Sequence, residues 1–176
     1  NSQLLTFNFK DCPDLFPSVI ATCAGLKVNA TFTGLKNLSI KESDRKKAMM
    51  TELKKINVSF EEISDDELKM KCTEELLFFT EENPIIFNNY NDHRIAMALS
   101  ILSLKIGTIE MKNTEVVSKS YPNFFEAVEL DFITPSLHYS ITTSLHNSCR
   151  RQRYTVSFHR YRRNVSTCRL KKNRRL

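Results

Sequence analysis

Glycine is nearly absent: Gly25, Gly34 and Gly107 are the three in 176 residues. A Walker loop and a GxGxxG dinucleotide turn both need clustered glycines for close backbone approach to phosphate, so both are excluded. If the chain binds phosphate, side chains and helix ends must do it. No run of 18 apolar residues occurs, which excludes a membrane-spanning helix. Asn1 to Lys10 show neither a basic n-region nor a small-residue cleavage site, so no signal peptide is visible and cytoplasm is the default location. The five cysteines (Cys12, Cys23, Cys72, Cys149, Cys168) are scattered, odd in number and without a CxxC. That argues against a disulfide framework or a zinc knuckle and suits a reducing compartment.

Acid is missing from one end. Residues 132–176 hold 11 basic residues and no Asp or Glu, whereas residues 1–131 hold 15 basic and 20 acidic ones. The Lys:Arg ratio flips across the same point, from 13:2 to 2:9. The sequence pI of about 9.1 therefore describes neither part, and the two are read separately. The length allows one domain of ordinary size with a core of its own.

Periodicity alternates strands and helices. Leu4–Phe9 reads as a strand, 16–24 as a short helix stopping at Gly25, and 27–33 as a strand with Val28, Ala30 and Phe32 at period two. A helix is predicted over 43–56, with Met49, Leu53 and Ile56 on one face. Strands at 58–63 and 67–72 around Ser64-Asp65-Asp66 read as a hairpin. A strand at 84–88, a helix over 92–106 with Ile95, Leu99, Leu102 and Ile106 buried, a strand at 108–112 and a helix at 122–130 opened by Pro122 complete the order. Asp14 precedes a helix and is followed 27 residues later by Lys41; Asp92 precedes a helix and is followed 27 residues later by Lys119. The two units, offset by 78 residues, read as two copies of one supersecondary unit.

Three loop-to-helix junctions carry candidate chemistry. In KESDR (Lys41–Arg45), two cations and two carboxylates stand where a helix begins, and helix N-termini favour anions. Glu42, beside Lys41 and Arg45, is held ionised by them and is available for proton transfer; alternatively Glu42, Ser43 and Asp44 only cap the helix. In NDHR (Asn91–Arg94), Asp92 is a good N-cap that puts His93 and Arg94 in the first turn. Arg45 and Arg94 are the only arginines in residues 1–131 and both open helices, a use of Arg that fits planar, bidentate anion recognition. In VSKSYP (Val117–Pro122), Lys119 lies in a loop before a Pro-started helix. Each residue alone has a bland reading as cap or surface charge. As a set, Asp14, Glu42, Lys41, Arg45, Arg94 and Lys119 suit a polyanionic substrate and acid–base chemistry.

The order PD-(26 residues)-KESDR, YNDHRIAMA, VSKSYPNF resembles the C-terminal part of the 5-enolpyruvylshikimate-3-phosphate synthase family over residues 8–130. The sister UDP-N-acetylglucosamine enolpyruvyl transferases share the fold but not the KESDR and NDHR pattern. The resemblance implies an α/β (α+β) fold of repeated βαβαββ-type units, here a partial second domain over residues 1–130. It implies transfer of the enolpyruvyl group of phosphoenolpyruvate to the 5-hydroxyl of shikimate 3-phosphate with release of phosphate, without metal or organic cofactor, in a protein monomeric when complete. By motif, Asp14 and Glu42 are the catalytic carboxylates. Asp14, Asn37 and Lys41 contact shikimate 3-phosphate, Arg45, Arg94 and Lys119 hold phosphoenolpyruvate, and His93 lines the pocket. The family's proteins are much longer, and their N-terminal contacts to both substrates have no counterpart here, which implies little or no activity for this chain alone.

Residues 131–176 do not continue the pattern and read as a basic tail without family resemblance and without regular structure. An out-of-frame sequence past the natural end, a solvated basic tail and a nucleic-acid-binding extension all fit its composition. The last follows from the interleaved Arg, Tyr, Phe and His of RQRYTVSFHRYRR. It gives the rival function: a non-catalytic basic nucleic-acid-binding protein with a residual enzyme domain.

Overall fold

The computed structural model describes residues 5–73, 75, 77–131 and 153–156. Strand β1 (Leu5–Asn8) leads through a 3-10 turn at Pro13–Leu15 into helix α1 (Phe16–Gly25) and back to β2 (Ala30–Thr33), which pairs parallel to β1. A 3-10 segment at Lys36–Ile40 precedes α2 (Arg45–Lys54), and the hairpin β3 (Val58–Glu62) and β4 (Glu67–Cys72) closes the unit. β4 also pairs antiparallel to β2, so the first sheet runs β1-β2-β4-β3. The second unit repeats the plan with β5 (Ile85–Phe87), α3 (His93–Ile101), α4 (Ser103–Ile106) and β6 (Ile109–Lys112), the two strands again parallel. A 3-10 segment at Thr114–Lys119 and α5 (Phe124–Asp131) follow. The repeat read from Asp14/Lys41 and Asp92/Lys119 is thus a repeat of structure: strand, helix, parallel strand, 3-10 segment, helix.

Parallel neighbours need a crossover, and α1 and α3 supply it, burying one face each. The Phe9, Phe16 and Phe32 rings meet edge-on or tilted at centroid distances of 5.5 to 6.1 Å, an arrangement that suits aromatic quadrupoles. Met49, Leu53 and Ile56 of α2 and its following turn are fully buried, as the helical stripe predicts. Each such side chain stabilises the fold by about 1.5–3 kcal/mol.

Several boundaries differ from the sequence expectation. The second strand starts at Ala30 because Lys27 takes a left-handed φ of 58° in the turn closing α1. The helix expected over 92–106 divides at Leu102 into α3 and α4. Pro122 stands in a turn ahead of α5, where the Phe124 amide bonds the Tyr121 carbonyl. Lys119 ends a 3-10 helix and is not in an open loop. The tail, expected without regular structure, contributes β7 (Arg153–Val156), antiparallel to β6. The rest of the tail, and with it most of the RQRYTVSFHRYRR segment behind the nucleic-acid reading, lies outside the described residues. No helix among the described residues is long and apolar enough to cross a membrane.

Candidate active site

The openings of α1, α2 and α3, which include the KESDR and NDHR junctions but not VSKSYP, come together, and Arg45 joins them. Asp44 caps α2 by accepting from the Lys47 amide at 3.1 Å, which places Arg45 in the first turn. Arg45 is 3% exposed, and its guanidinium donates from Nη1 to Asp14 Oδ1 at 2.6 Å and from Nε to Asp92 Oδ2 at 2.7 Å. Asp92, fully buried, caps α3 through Oδ1, which accepts from the Arg94 amide at 2.9 Å, while Oδ2 also accepts from Ser43 Oγ at 3.1 Å. The two aspartates that mark the sequence repeat are therefore held by one arginine.

Asp14 is the most cation-rich point of the cluster. Besides Arg45 it meets Arg94 Nη2 at 3.2 Å and Lys41 Nζ at 3.7 Å. The Arg45 hydrogen bond foremost, then the Arg94 and Lys41 charges, hold its carboxyl below the usual carboxylate range against partial desolvation. Desolvation works against the Arg45 charge, but the hydrogen bonds to Asp92 and Asp14 outweigh it and strengthen the guanidinium's hold on its proton. Arg94 and Lys41 remain about one-third exposed in their side chains. Among the described residues each makes one ion pair, to Asp14, so donors are left for an incoming anion.

Among the described residues Glu42 pairs with neither of the cations beside it in sequence and does not cap α2. Arg45 turns inward between Asp14 and Asp92, and Glu42 Oε2 instead faces His93 Nδ1 at 3.2 Å. The Glu42 side chain is 45% exposed and His93 12%, so a carboxylate and an imidazole stand together at the mouth of the cluster. Capping belongs to Asp44 alone; Ser43 serves Asp92.

Asp14, Lys41, Glu42, Arg45, His93 and Arg94 thus form one connected region. Asn37, exposed in the 3-10 segment before α2, and Lys119, exposed at the end of the 3-10 segment after β6, make no ion pair with it among the described residues. Two members were assigned too small a part from sequence. Ser43 reads locally as a possible cap and Asp92 as a cap only, although the equivalence of Asp92 to Asp14 in the repeat signals that the two share a partner.

Glu42, Asp92 and His93 bring one ligand atom each within 4.8 Å of one another. They do not suit a metal ion, because both Asp92 oxygens are already engaged by Arg45, Ser43 and the Arg94 amide. The geometry suits an anion presented to Arg94 and Lys41, with two carboxylates and an imidazole placed for proton transfer.

Residues 2–128 match the family model of EPSP synthase (3-phosphoshikimate 1-carboxyvinyltransferase). The chain is 36% identical over 124 residues to the 3-phosphoshikimate 1-carboxyvinyltransferase of Bacteroides fragilis, covering 70% of this chain and 29% of that one. It is 38% identical over 123 residues to that of Clostridium acetobutylicum, covering 69% and 27%. Among solved structures, EPSP synthase from Acinetobacter baumannii superimposes with a TM-score of 0.51 at 26% identity, covering 63% of this chain and 25% of that one. The chain spans less than a third of the length of these relatives.

Proposed function

Because the chain belongs to the EPSP synthase family, we propose that it supplies one wall of an enolpyruvyl transferase site, contributed by residues 1–130. The complete site takes phosphoenolpyruvate and shikimate 3-phosphate, joins the enolpyruvyl group to the 5-hydroxyl and releases phosphate. The observation that carries this reading is the meeting of three helix openings on one arginine, with Asp14 contacted by Lys41, Arg45 and Arg94.

The chemistry follows from charge. Phosphoenolpyruvate brings a carboxylate and a phosphate, which Arg94, Arg45 and Lys119 are assigned to hold; Lys41 and Asn37 are assigned to shikimate 3-phosphate. Arg45 acts from within, fixing Asp14 and Asp92. Asp14 is a poor base while three cations hold its carboxyl pKa down. When Arg94 and Lys41 turn to the substrates' anions, that pKa rises and the carboxylate can take the 5-hydroxyl proton. As the 5-oxygen bonds to the enol carbon, Glu42, entering protonated and oriented by His93, gives its proton to the methylene carbon. The tetrahedral adduct then loses phosphate while Glu42 takes a proton back from the new methyl group, restoring the double bond. Each positioned acid or base contributes about 10²–10⁴ in rate. Exclusion of water by the remaining polypeptide strengthens every pair in the site.

A groove between α1 and α3–α4, lined by Ala21, Gly25, Leu26, Ala98, Ile101 and Leu102, is mostly apolar, and Leu26 and Ile101 stand half exposed beside it.

The test is phosphate release from phosphoenolpyruvate, with and without shikimate 3-phosphate. The chain is assayed alone and then mixed with the complementary N-terminal portion of the Bacteroides fragilis enzyme. The chain alone is expected to release none. The mixture is expected to release phosphate only with both substrates, and to stop with Glu42→Gln. A mixture that associates and stays inactive, or a Glu42→Gln mixture as fast as the unmodified one, would overturn the reading.

A further inference from the structure

Two turns along α2 from Arg45, and outside the cluster just described, Glu52 is a carboxylate with only 1% exposure. A buried carboxylate is costly unless its lone pairs are met, and here they are. Oε2 accepts from Lys55 Nζ at 2.6 Å and from the Asn88 amide at 2.9 Å, and Oε1 accepts from the Tyr90 hydroxyl at 2.9 Å. Lys55 Nζ donates again to the Ile86 carbonyl at 2.9 Å. Every partner beyond Lys55 lies on β5 or in the turn between β5 and α3.

That turn is under strain. Tyr90 and Asn91 are consecutive non-glycine residues with φ of 54° and 56°. A bulky residue such as Tyr in the left-handed region is uncommon, and the conformation persists only where the surroundings hold it. Here they do. Asn88 Oδ1 accepts from the Tyr90 amide and Asn89 Oδ1 from the Asn91 amide, both at 2.9 Å. Asn89, 2% exposed, donates from Nδ2 to the Lys112 and Asn113 carbonyls. The next residues are Asp92, His93 and Arg94.

We infer that Glu52 is a positioning residue for the candidate site: it ties the strained Asn88–Asn91 turn to α2, the helix that opens with Arg45. One helix thus sets both sides of the cluster. Its first residue holds Asp14 and Asp92, and Glu52 fixes the turn that delivers Asp92, His93 and Arg94 to Arg45, Glu42 and Asp14. The consequence for transfer rests on the proposed function; the geometric claim does not.

The experiment uses the full chain and needs no substrate. Amide hydrogen exchange is followed residue by residue in the unmodified protein, Tyr90→Phe, Glu52→Gln and Glu52→Ala, together with the NMR titration of the Asp14 carboxyl. Arg94 amide exchange is expected to rise about tenfold or more in Tyr90→Phe, and further in Glu52→Ala, in line with loss of hydrogen bonds to a charged acceptor. The amides of Thr31 and Met70 in the first sheet should keep their rates. The Asp14 midpoint should move up as Arg94 loosens, a change that general destabilisation does not produce. Glu52→Gln, which keeps an acceptor for Tyr90, should recover part of both effects. Burial foremost, then the Glu52 carboxylate, pushes the Tyr90 phenol up to about 12; a downward move of that value in Glu52→Ala verifies that the contact was removed. If Tyr90→Phe and Glu52→Gln fold while Arg94 exchange and the Asp14 midpoint stay unchanged, the inference is wrong, even if Glu52→Ala does not fold. Failure of the transferase reading would show separately, as an inactive complemented mixture with these shifts intact.

Discussion

The Asp14 carboxylate accepts a 2.6 Å hydrogen bond from the buried Arg45 guanidinium, so the first helix opening is clamped to the second. A carboxyl held below its unfolded pKa stabilises the fold at pH above the unfolded value of about 4 and loses that contribution as pH falls through the folded value. Asp14 is expected to titrate below the ordinary aspartate range, and Asp14→Asn to flatten the acid limb of stability against pH. Side-chain carbon NMR titration and urea unfolding between about pH 2 and 6 check both. An ordinary midpoint for Asp14 would contradict the clamp.

Removal of Arg45 should be severe. Arg45→Ala leaves the fully buried Asp92 without its cation, a loss of about 3–5 kcal/mol. Arg45→Lys should be only partly better, because a single ammonium cannot reproduce donors at both Nε and Nη1. Denaturant unfolding decides the matter, and a loss under about 1 kcal/mol for Arg45→Ala would show that Asp92 finds another partner.

Glu42 should separate stability from chemistry. Its side chain is half exposed and its described partner is His93, so Glu42→Gln is expected to leave the unfolding midpoint nearly unchanged. In the complemented mixture it should lower kcat by about 10²–10⁴. A stability loss comparable to the loss in Arg45→Ala would make Glu42 structural.

Lys119 is expected to act on substrate alone. It is exposed at the end of its 3-10 segment, so Lys119→Met should cost little stability while raising the KM for phosphoenolpyruvate about tenfold in the complemented mixture, the scale of one lost charge-assisted hydrogen bond. An unchanged KM would remove it from the site.

Gly107 is a position where backbone conformation disfavours any side chain. Its φ is 87°, and an added Cβ would run into the Phe79 carbonyl, the acceptor for the Thr108 amide. Gly107→Ala should destabilise by more than about 1 kcal/mol. Thermal unfolding tests it against Gly25→Ala, where the nearest contact is the Leu102 side chain at 3.3 Å.

Much of the fold is written locally. The Met49, Leu53 and Ile56 stripe, the alternation of Ala30 and Phe32 and the Ser64-Asp65-Asp66 turn need only their neighbours to be read, and the elements lie where these signals put them. The shared motif order likewise marked the family and eight site residues, of which Asp14, Lys41, Glu42, Arg45, His93 and Arg94 meet while Asn37 and Lys119 make no contact with them among the described side-chain bonds. The misses share a cause, because each depended on a partner far along the chain. Glu42 read as a partner of Lys41 and Arg45 because they are adjacent in sequence. Arg45 is instead drawn to Asp14 and Asp92, 31 and 47 positions away, and Glu42 meets His93 at 51. Glu52 gave no signal, since an acid four residues beyond Ala48 and three before Lys55 looks like any solvated helix charge until Tyr90 is seen above it.

The sequence alone determined the element order, the internal repeat, the family and the residue types that an anion site requires, since period, turn chemistry and motif spacing are short-range properties. Only the tertiary structure decided which carboxylate each cation serves, because the pairing of charges depends on distance and burial across helices that are remote in the chain. In a buried setting those two quantities outweigh sequence proximity: Asp92 and Arg45 exclude water together, whereas Glu42, left at the rim, keeps its carboxylate open to solvent and to His93.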